Sequence, residues 1–286
     1  MSRIFDDRVC ALGEGPLWHP TRQQLFWFDI VGKRLLTRTN DGPQEWQFDE
    51  HVSAAAWLDH DRLLIASESG LWRFSLIDGS RELVIALEAD NPITRSNDGR
   101  ADPWGGFWIG TMGKNAEKYA GAIYRLYKGE LRNLFPSITI SNAICFSPNR
   151  QFAYFTDTVT RLVMRQQLEQ QDGWPTGQAE VYLDLRSENL NPDGAVIDID
   201  GNMWLAQWGA SHIACYSTDG QFITAIAFDA LQASCPAFGG PELRTLFCTT
   251  AAVDLSAETR AQQPSNGMTF LSENVGMGQS EHQVIL

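Results

Sequence analysis

Apolar positions in this chain fall in short runs that come in pairs, and the pairs recur along its length. SAAAW, NAICF and GAVID each lead through a polar turn into a second apolar run. The turns PTRQQ, DHDR, DPWGG, SPNRQ, DIDGN and GGPEL are rich in Asp, Gly or Pro, as tight hairpins require. The second runs, LFWFDI, LLIASES, FWIGTM, FAYFTDT, MWLAQW and LFCTTA, carry the aromatic and β-branched residues that suit strands. Between the hairpins, GLWRFSL, AIYRLYKG, LVMRQQL and HIACYST alternate apolar and polar, the mark of half-exposed strands. No segment keeps a 3.6-residue period over a helical length; DALQASC comes nearest and is short.

Matching positions fall at Glu14, Ser53, Asn97, Asn142, Asp193 and Cys235, spaced 39 to 51 residues apart. A period averaging about 44 residues, repeated six times with four strands each, predicts an all-β six-bladed β-propeller. The whole chain, 1–286, is expected to form that one domain; a sandwich or a two-domain barrel is the competing arrangement. RIFDDRVC at the start and GMTFLSENVG near the end are expected to complete one blade jointly and so close the ring.

The innermost strand of a propeller blade lines the central channel, so equivalent positions converge on one place. Glu14, Asn142 and Asp193 all bear side-chain oxygens there, with Asn97 as a fourth polar candidate. Carboxylates facing one another in a buried channel repel unless a cation compensates. An all-oxygen set selects one divalent metal ion: Ca²⁺, Mg²⁺ or Mn²⁺, and Zn²⁺ less typically, with Ca²⁺ or Mn²⁺ favoured. Each residue also has a plainer reading. Pro192-Asp193-Gly194 and Asn97-Asp98-Gly99 are common turn signals, Asp98 can serve backbone N–H groups alone, and Glu14 and Asn142 are ambiguous in isolation. Equivalence in the repeat is what raises them.

Composition narrows the rest. Hydrophobic residues make up 43% and charged residues 20%, ordinary for a globular protein. A formal charge of −13 without a Lys/Arg-rich block argues against nucleic acid. No apolar run approaches the ~18 residues of a membrane span. MSRIFDDRVCALGEG lacks the character of a signal peptide, so a cytoplasmic protein is expected. Five scattered cysteines without a C-x-x-C pair read as reduced thiols packed in strands. The five histidines lack metal-ligand spacing, although His51 and His212 fall where they could border the channel mouth. Trp104, Trp108, Trp174 and Trp208 read either as a sugar-stacking rim or as core. No G-x-S-x-G elbow supports a serine hydrolase.

Four motifs taken in order resemble a known family. G-E-G-P-L-W at 13–18, R-S-N-D-G-R-A-D-P-W-G-G-F-W-I-G-T-M at 95–112, S-N-A-I-C-F-S at 141–147 and P-D-G-A-V-I-D at 192–198 are similar to the regucalcin (senescence marker protein)/gluconolactonase family, over about residues 10–255. The resemblance implies a six-bladed propeller that hydrolyses a sugar lactone, with a divalent metal held by Glu14, Asn142 and Asp193. It further implies Asp193 as general base and Arg95 and Asn97 as substrate-binding residues. Family members often carry Glu shortly after G-T-M; here Lys114 and Asn115 stand in that region. Both are therefore candidate substrate-binding residues, and Lys114 raises the expectation of a lactone with a second carboxylate, against a plain solvated loop lysine. Two other functions compete: ester or phosphotriester hydrolysis on the same metal site, and a non-catalytic calcium-binding or protein-interaction propeller. The expected partner is a small-molecule sugar lactone, without nucleic acid or membrane, on a monomer or weak homodimer.

Overall fold

Each paired apolar run forms the two innermost strands of a four-stranded antiparallel sheet in the computed structural model, which describes residues 2–286. The six inner strands are Gly13–His19, Val52–Trp57, Thr94–Ala101, Ser141–Phe146, Asn191–Ile197 and Gln232–Gly239. Each inner strand packs beside the next, and the last beside the first, so the sheets close a six-bladed propeller. We number the blades 1 to 6 by these strands. The second strands Gln24–Asp29 and Phe107–Gly113 are buried along their whole length, and the other four at all but one end residue. A sheet covered on both faces needs such unbroken apolar runs. The outermost strands are largely exposed, as in Phe222–Ala227 of blade 5.

The core is divided into six apolar clusters, one wedged between each pair of adjacent blades. Leu17, Phe26 and Phe28 of blade 1 meet Val52, Leu63 and Ile65 of blade 2, and Trp108 of blade 3 meets Ile144 and Phe146 of blade 4. All five cysteines are buried and free, four of them in strands.

Blade 6 is built from both ends of the chain. Its fourth strand is Arg3–Asp6, paired antiparallel with Thr269–Glu273, as the two flanking segments predicted. The buried Asp6 carboxylate accepts from Arg8 Nε and Arg38 Nε, each at 2.9 Å, and so ties this strand to blade 1. Its pKa is lowered: burial raises it, but the two guanidinium groups prevail.

DALQASC forms no helix, in line with its short period, and its second half enters the inner strand of blade 6. Two other segments lie outside the strand pattern. A helix lies at Ala257–Gln262, inserted between two strands of that blade and started by Ser256, whose Oγ accepts from the Thr259 N–H at 3.1 Å. Residues 274–286 then cross the end of the ring where the inner hairpin turns lie. Gln279 Nε2 donates to Phe146 O and Ile197 O, the Gly278 N–H to Leu243 O, and Val284 N–H to Trp57 O. Glu281 pairs with Arg100, and both side chains are nearly buried. No helix among the described residues is long and apolar enough to cross a membrane.

Candidate functional site

All six inner strands lose register at the same height. Pairing skips between Glu14 and Leu17, Val52 and Ala54, and Ser96 and Gly99. It skips again between Asn142 and Cys145, Pro192 and Ala195, and Ala233 and Cys235. A bulge of this kind releases residues from the ladder and re-aims their side chains. Glu14 and Asn142 are the last paired residues before their bulges, whereas Asn97 and Asp193 are unpaired within theirs. The positions matched by sequence thus form two adjacent classes rather than one. Cys235 lies past its bulge, and the buried Ser234 occupies the released position, bonding Gly13 O at 2.5 Å. Asn97-Asp98-Gly99 is part of a strand, so its turn reading is corrected.

Local backbone chemistry explains why these bulges form. Gly15 has φ +52°, and a Cβ there would stand 2.2 Å from Ser53 O, so only glycine fits. Ala143 holds φ 57°, a conformation costing a non-glycine residue about 1 kcal/mol. The buried Asp98 steadies that bulge by accepting the Ile144 N–H at 2.7 Å.

A cavity of about 320 Å³ opens at this end of the channel. Glu14, Asn142, Asp193, Arg95, Asn97 and Lys114 all line it. Its size lies at the lower end for small-molecule sites. A larger cleft of about 570 Å³ beside the C-terminal segment brings together no comparable group of carboxylates.

A one-way chain of hydrogen bonds fixes the two asparagines. Arg95 can only donate, and its Nη1 gives to Asn97 Oδ1 at 2.7 Å. Asn97 Nδ2 gives to Asn142 Oδ1 at 3.1 Å and to Ser141 O at 2.8 Å. Asn142 Nδ2 gives to Thr158 Oγ1 at 2.9 Å, which gives to the carbonyl of Pro192 at 2.8 Å. With a guanidinium at one end and a carbonyl at the other, neither amide can flip. Sequence reasoning singled out neither Thr158 nor the Asp98–Ile144 contact as part of the site, since no spacing ties them to Asn142.

The electrostatics are unbalanced without a cation. Burial, then Asp98, raises Glu14 to about 8; burial, then Glu14 and Asp98, raises Asp193 well above the usual carboxylate range. Burial also raises Asp98 to about 6. Burial lowers Arg95 to about 10 against the pull of Glu14, Glu68 and Asp193. Among the described residues Glu14 accepts only from its neighbour, the Gly15 N–H, at 3.0 Å. Two carboxylates and an amide oxygen facing one cavity suit a hard divalent cation, which would relieve the repulsion. Among the described residues no three His, Cys, Asp or Glu side chains form a metal-binding group. A cation here would therefore need the Asn142 amide as its third donor.

Other candidates lie elsewhere. Asn115 is exposed, and its N–H and Nδ2 both bond the Glu117 carboxylate at 3.0 Å, so it does not join the cavity. Lys114 lines the cavity but pairs with Glu68. Of the four tryptophans only Trp208 lines the cavity. Trp108 is fully buried, Trp104 donates to Gln170 O, and Trp174 covers the Arg125 guanidinium at 4.5 Å. His51 borders the cavity, whereas His212 lies in a separate cleft.

The sequence profile of the SMP-30/Gluconolactonase/LRE-like region matches residues 12–252. The chain is 39% identical over 270 residues to a Rhizobium meliloti (strain 1021) protein that carries the name of a sugar lactone lactonase, covering 94% of this chain and 92% of that one. It is 32% identical over 278 residues to an L-arabinolactonase of Azospirillum brasilense, covering 94% and 91%. Its fold matches the crystal structure of regucalcin, a calcium-binding protein of Agrobacterium tumefaciens str. C58, with a TM-score of 0.97. The identity there is 37%, over 100% of this chain and 98% of that one.

Proposed function

The chain belongs to the SMP-30/gluconolactonase/LRE-like family, and on that footing we propose that it is a divalent-metal-dependent hydrolase that opens a sugar lactone to the free sugar acid. The observation that carries this reading is the meeting of Glu14, Asn142 and Asp193 in one cavity beside Arg95 and Asn97. Glu14, Asn142 and Asp193 would hold the cation, with Ca²⁺ or Mn²⁺ favoured by the oxygen donors. When bound, such an ion polarises the lactone carbonyl and lowers the pKa of water beside it.

The residues themselves supply the remaining chemistry. Asp193 accepts a proton from the attacking water as the new C–O bond forms at the carbonyl carbon. It returns that proton to the ring oxygen as the bond from the carbonyl carbon to that oxygen breaks. Water is consumed, and a carboxylic acid and a free hydroxyl result. Arg95 has donors beyond the two Nη1 N–H groups spent on Asn97 and Ser96 O, and these are available to substrate oxygens. Its positive charge stands close to where negative charge develops. The hydrogen-bond chain through Asn97, Asn142 and Thr158 costs no reorganisation during the reaction because it is set beforehand.

The test is acid release from a panel of aldono- and aldaro-lactones, with EDTA and after restoring Ca²⁺, Mn²⁺ or Zn²⁺. Hydrolysis abolished by EDTA, restored by a cation, and reduced at least a hundredfold in Asp193→Ala is the expected result. An EDTA-insensitive activity, or wild-type rates in Asp193→Ala, would remove the proposed site.

A further inference from the structure

Ring order decides which wall of the cavity is left for the far side of a substrate. In a ring of six, blade 1 faces blade 4 and blade 5 faces blade 2. Glu14, Asn142 and Asp193 stand on blades 1, 4 and 5, so a carbonyl held among them leaves the rest of the ring toward blades 2 and 3. That wall carries a cluster unused by the proposed chemistry: His51, Glu68 and Lys114. His51 directly precedes the inner strand of blade 2, Glu68 follows its second strand (Arg62–Ser67), and Lys114 follows Phe107–Gly113 of blade 3.

Glu68 binds the cluster together. Its Oε1 accepts from the His51 backbone N–H at 3.0 Å and meets His51 Nδ1, while its Oε2 pairs with the Lys114 ammonium. Both carboxylate oxygens are therefore engaged, and His51 and Lys114 are the members that reach the cavity. A carboxylate only accepts, so Nδ1 of His51 carries the proton. Nε2 is then an acceptor, and among the described residues it bonds no protein atom. Burial lowers the His51 pKa more than Glu68 raises it, which keeps the ring neutral near pH 7. Glu68 is drawn down to about 2: burial raises it, but Lys114 and His51 more than offset that. The Lys114 charge is thus balanced within the cluster by Glu68, which suits a neutral hydroxyl beside it.

We propose that His51, held by Glu68 and flanked by Lys114, is a specificity-determining subsite for the hydroxyl on the ring edge opposite the carbonyl of a neutral aldonolactone. His51 Nε2 accepts a hydrogen bond from that hydroxyl, and the Lys114 ammonium donates to its oxygen. The proposal rests on the lactonase reading of the adjoining site and deepens it.

A substrate–mutant cycle tests it. The probes are D-glucono-1,5-lactone with its 4-deoxy analogue, and L-arabinono-1,4-lactone with its 3-deoxy analogue. Wild type is expected to lose about tenfold in kcat/KM on the deoxy member of the pair it hydrolyses. His51→Phe should lose the same factor on the parent lactone and nothing further on the deoxy one. His51→Gln, which keeps an acceptor, should restore part of the discrimination, a result that damage to folding alone would not give. Equal losses on parent and deoxy lactones in His51→Phe, or no loss on either, would overturn the subsite while leaving the lactonase reading intact. Failure of wild type to hydrolyse either parent would overturn the subsite, and failure on the whole lactone panel would overturn the lactonase reading as well.

Discussion

Thr158 lies outside every motif of the sequence, yet the direction of the Asn142 amide depends on it. It receives Asn142 Nδ2 and passes the bond on to Pro192 O in the next blade, the last two links of the chain from Arg95. Partners that orient a metal-binding side chain typically contribute ten- to a hundredfold to affinity. Thr158→Val keeps the shape and removes both bonds. We expect divalent-cation affinity to fall about tenfold with little change in melting temperature. Unchanged affinity in this variant would mean that the chain does not set the site. At this scale the sequence was only partly readable. Glu14, Asn142 and Asp193 stood out because the repeat made them equivalent, and Arg95 and Asn97 through their motif. Asp98 does serve a backbone N–H group, as read from the sequence, but its partner Ile144 and the link from Thr158 to Pro192 O lie across blades, which no local spacing reveals. Asn115 was drawn in by its place after G-T-M, but its amide is held by Glu117.

Strand Arg3–Asp6 is the element on which closure of the ring depends, and Asp6 is its anchor. Its carboxylate is buried between Arg8 and Arg38, and replacing it leaves them only their longer ion pairs with Glu45 at 3.6 Å and Asp7 at 3.8 Å. Asp6→Asn is expected to destabilise the fold by about 2 kcal/mol at pH 7, less than for a fully buried pair because both arginines are partly exposed. The folded-state pKa lies below the ordinary value of 3.8, so the carboxylate contributes stability above that pH and loses it as pH falls through the lowered value. The melting gap between wild type and Asp6→Asn should therefore be widest near neutrality and close below about pH 4; a gap independent of pH would contradict this role for the charge. Strands of this fold were legible because unbroken apolar runs and Asp-, Gly- or Pro-rich turns mark them. The bulges were not, since the inner strands are buried along almost all their length and carry no alternation for a skipped pairing to break. The helix at Ala257–Gln262 was too short to show a period.

For the molecule as a whole, the two ends of the channel are finished differently. One end is spanned by residues 274–286, with Glu281 against Arg100; the other opens into the cavity where the inner-strand bulges gather their side chains. Repetition explains both the core and the site, because one plan repeated six times puts apolar wedges between the blades and like positions around one axis. The number of blades and the shared closing blade followed from the period and from the leftover segments. The span made by the last residues did not, as a stretch without strand pattern gives no sign of what it covers. The central claim is that this ring of positions holds one divalent cation through Glu14, Asn142 and Asp193. Calorimetric titration of Ca²⁺ and Mn²⁺ into EDTA-treated protein tests it most directly. One ion per chain in the wild type, weakened at least tenfold in both Glu14→Gln and Asp193→Asn, is the predicted result; no binding by wild type, or equal affinity in the variants, would contradict it.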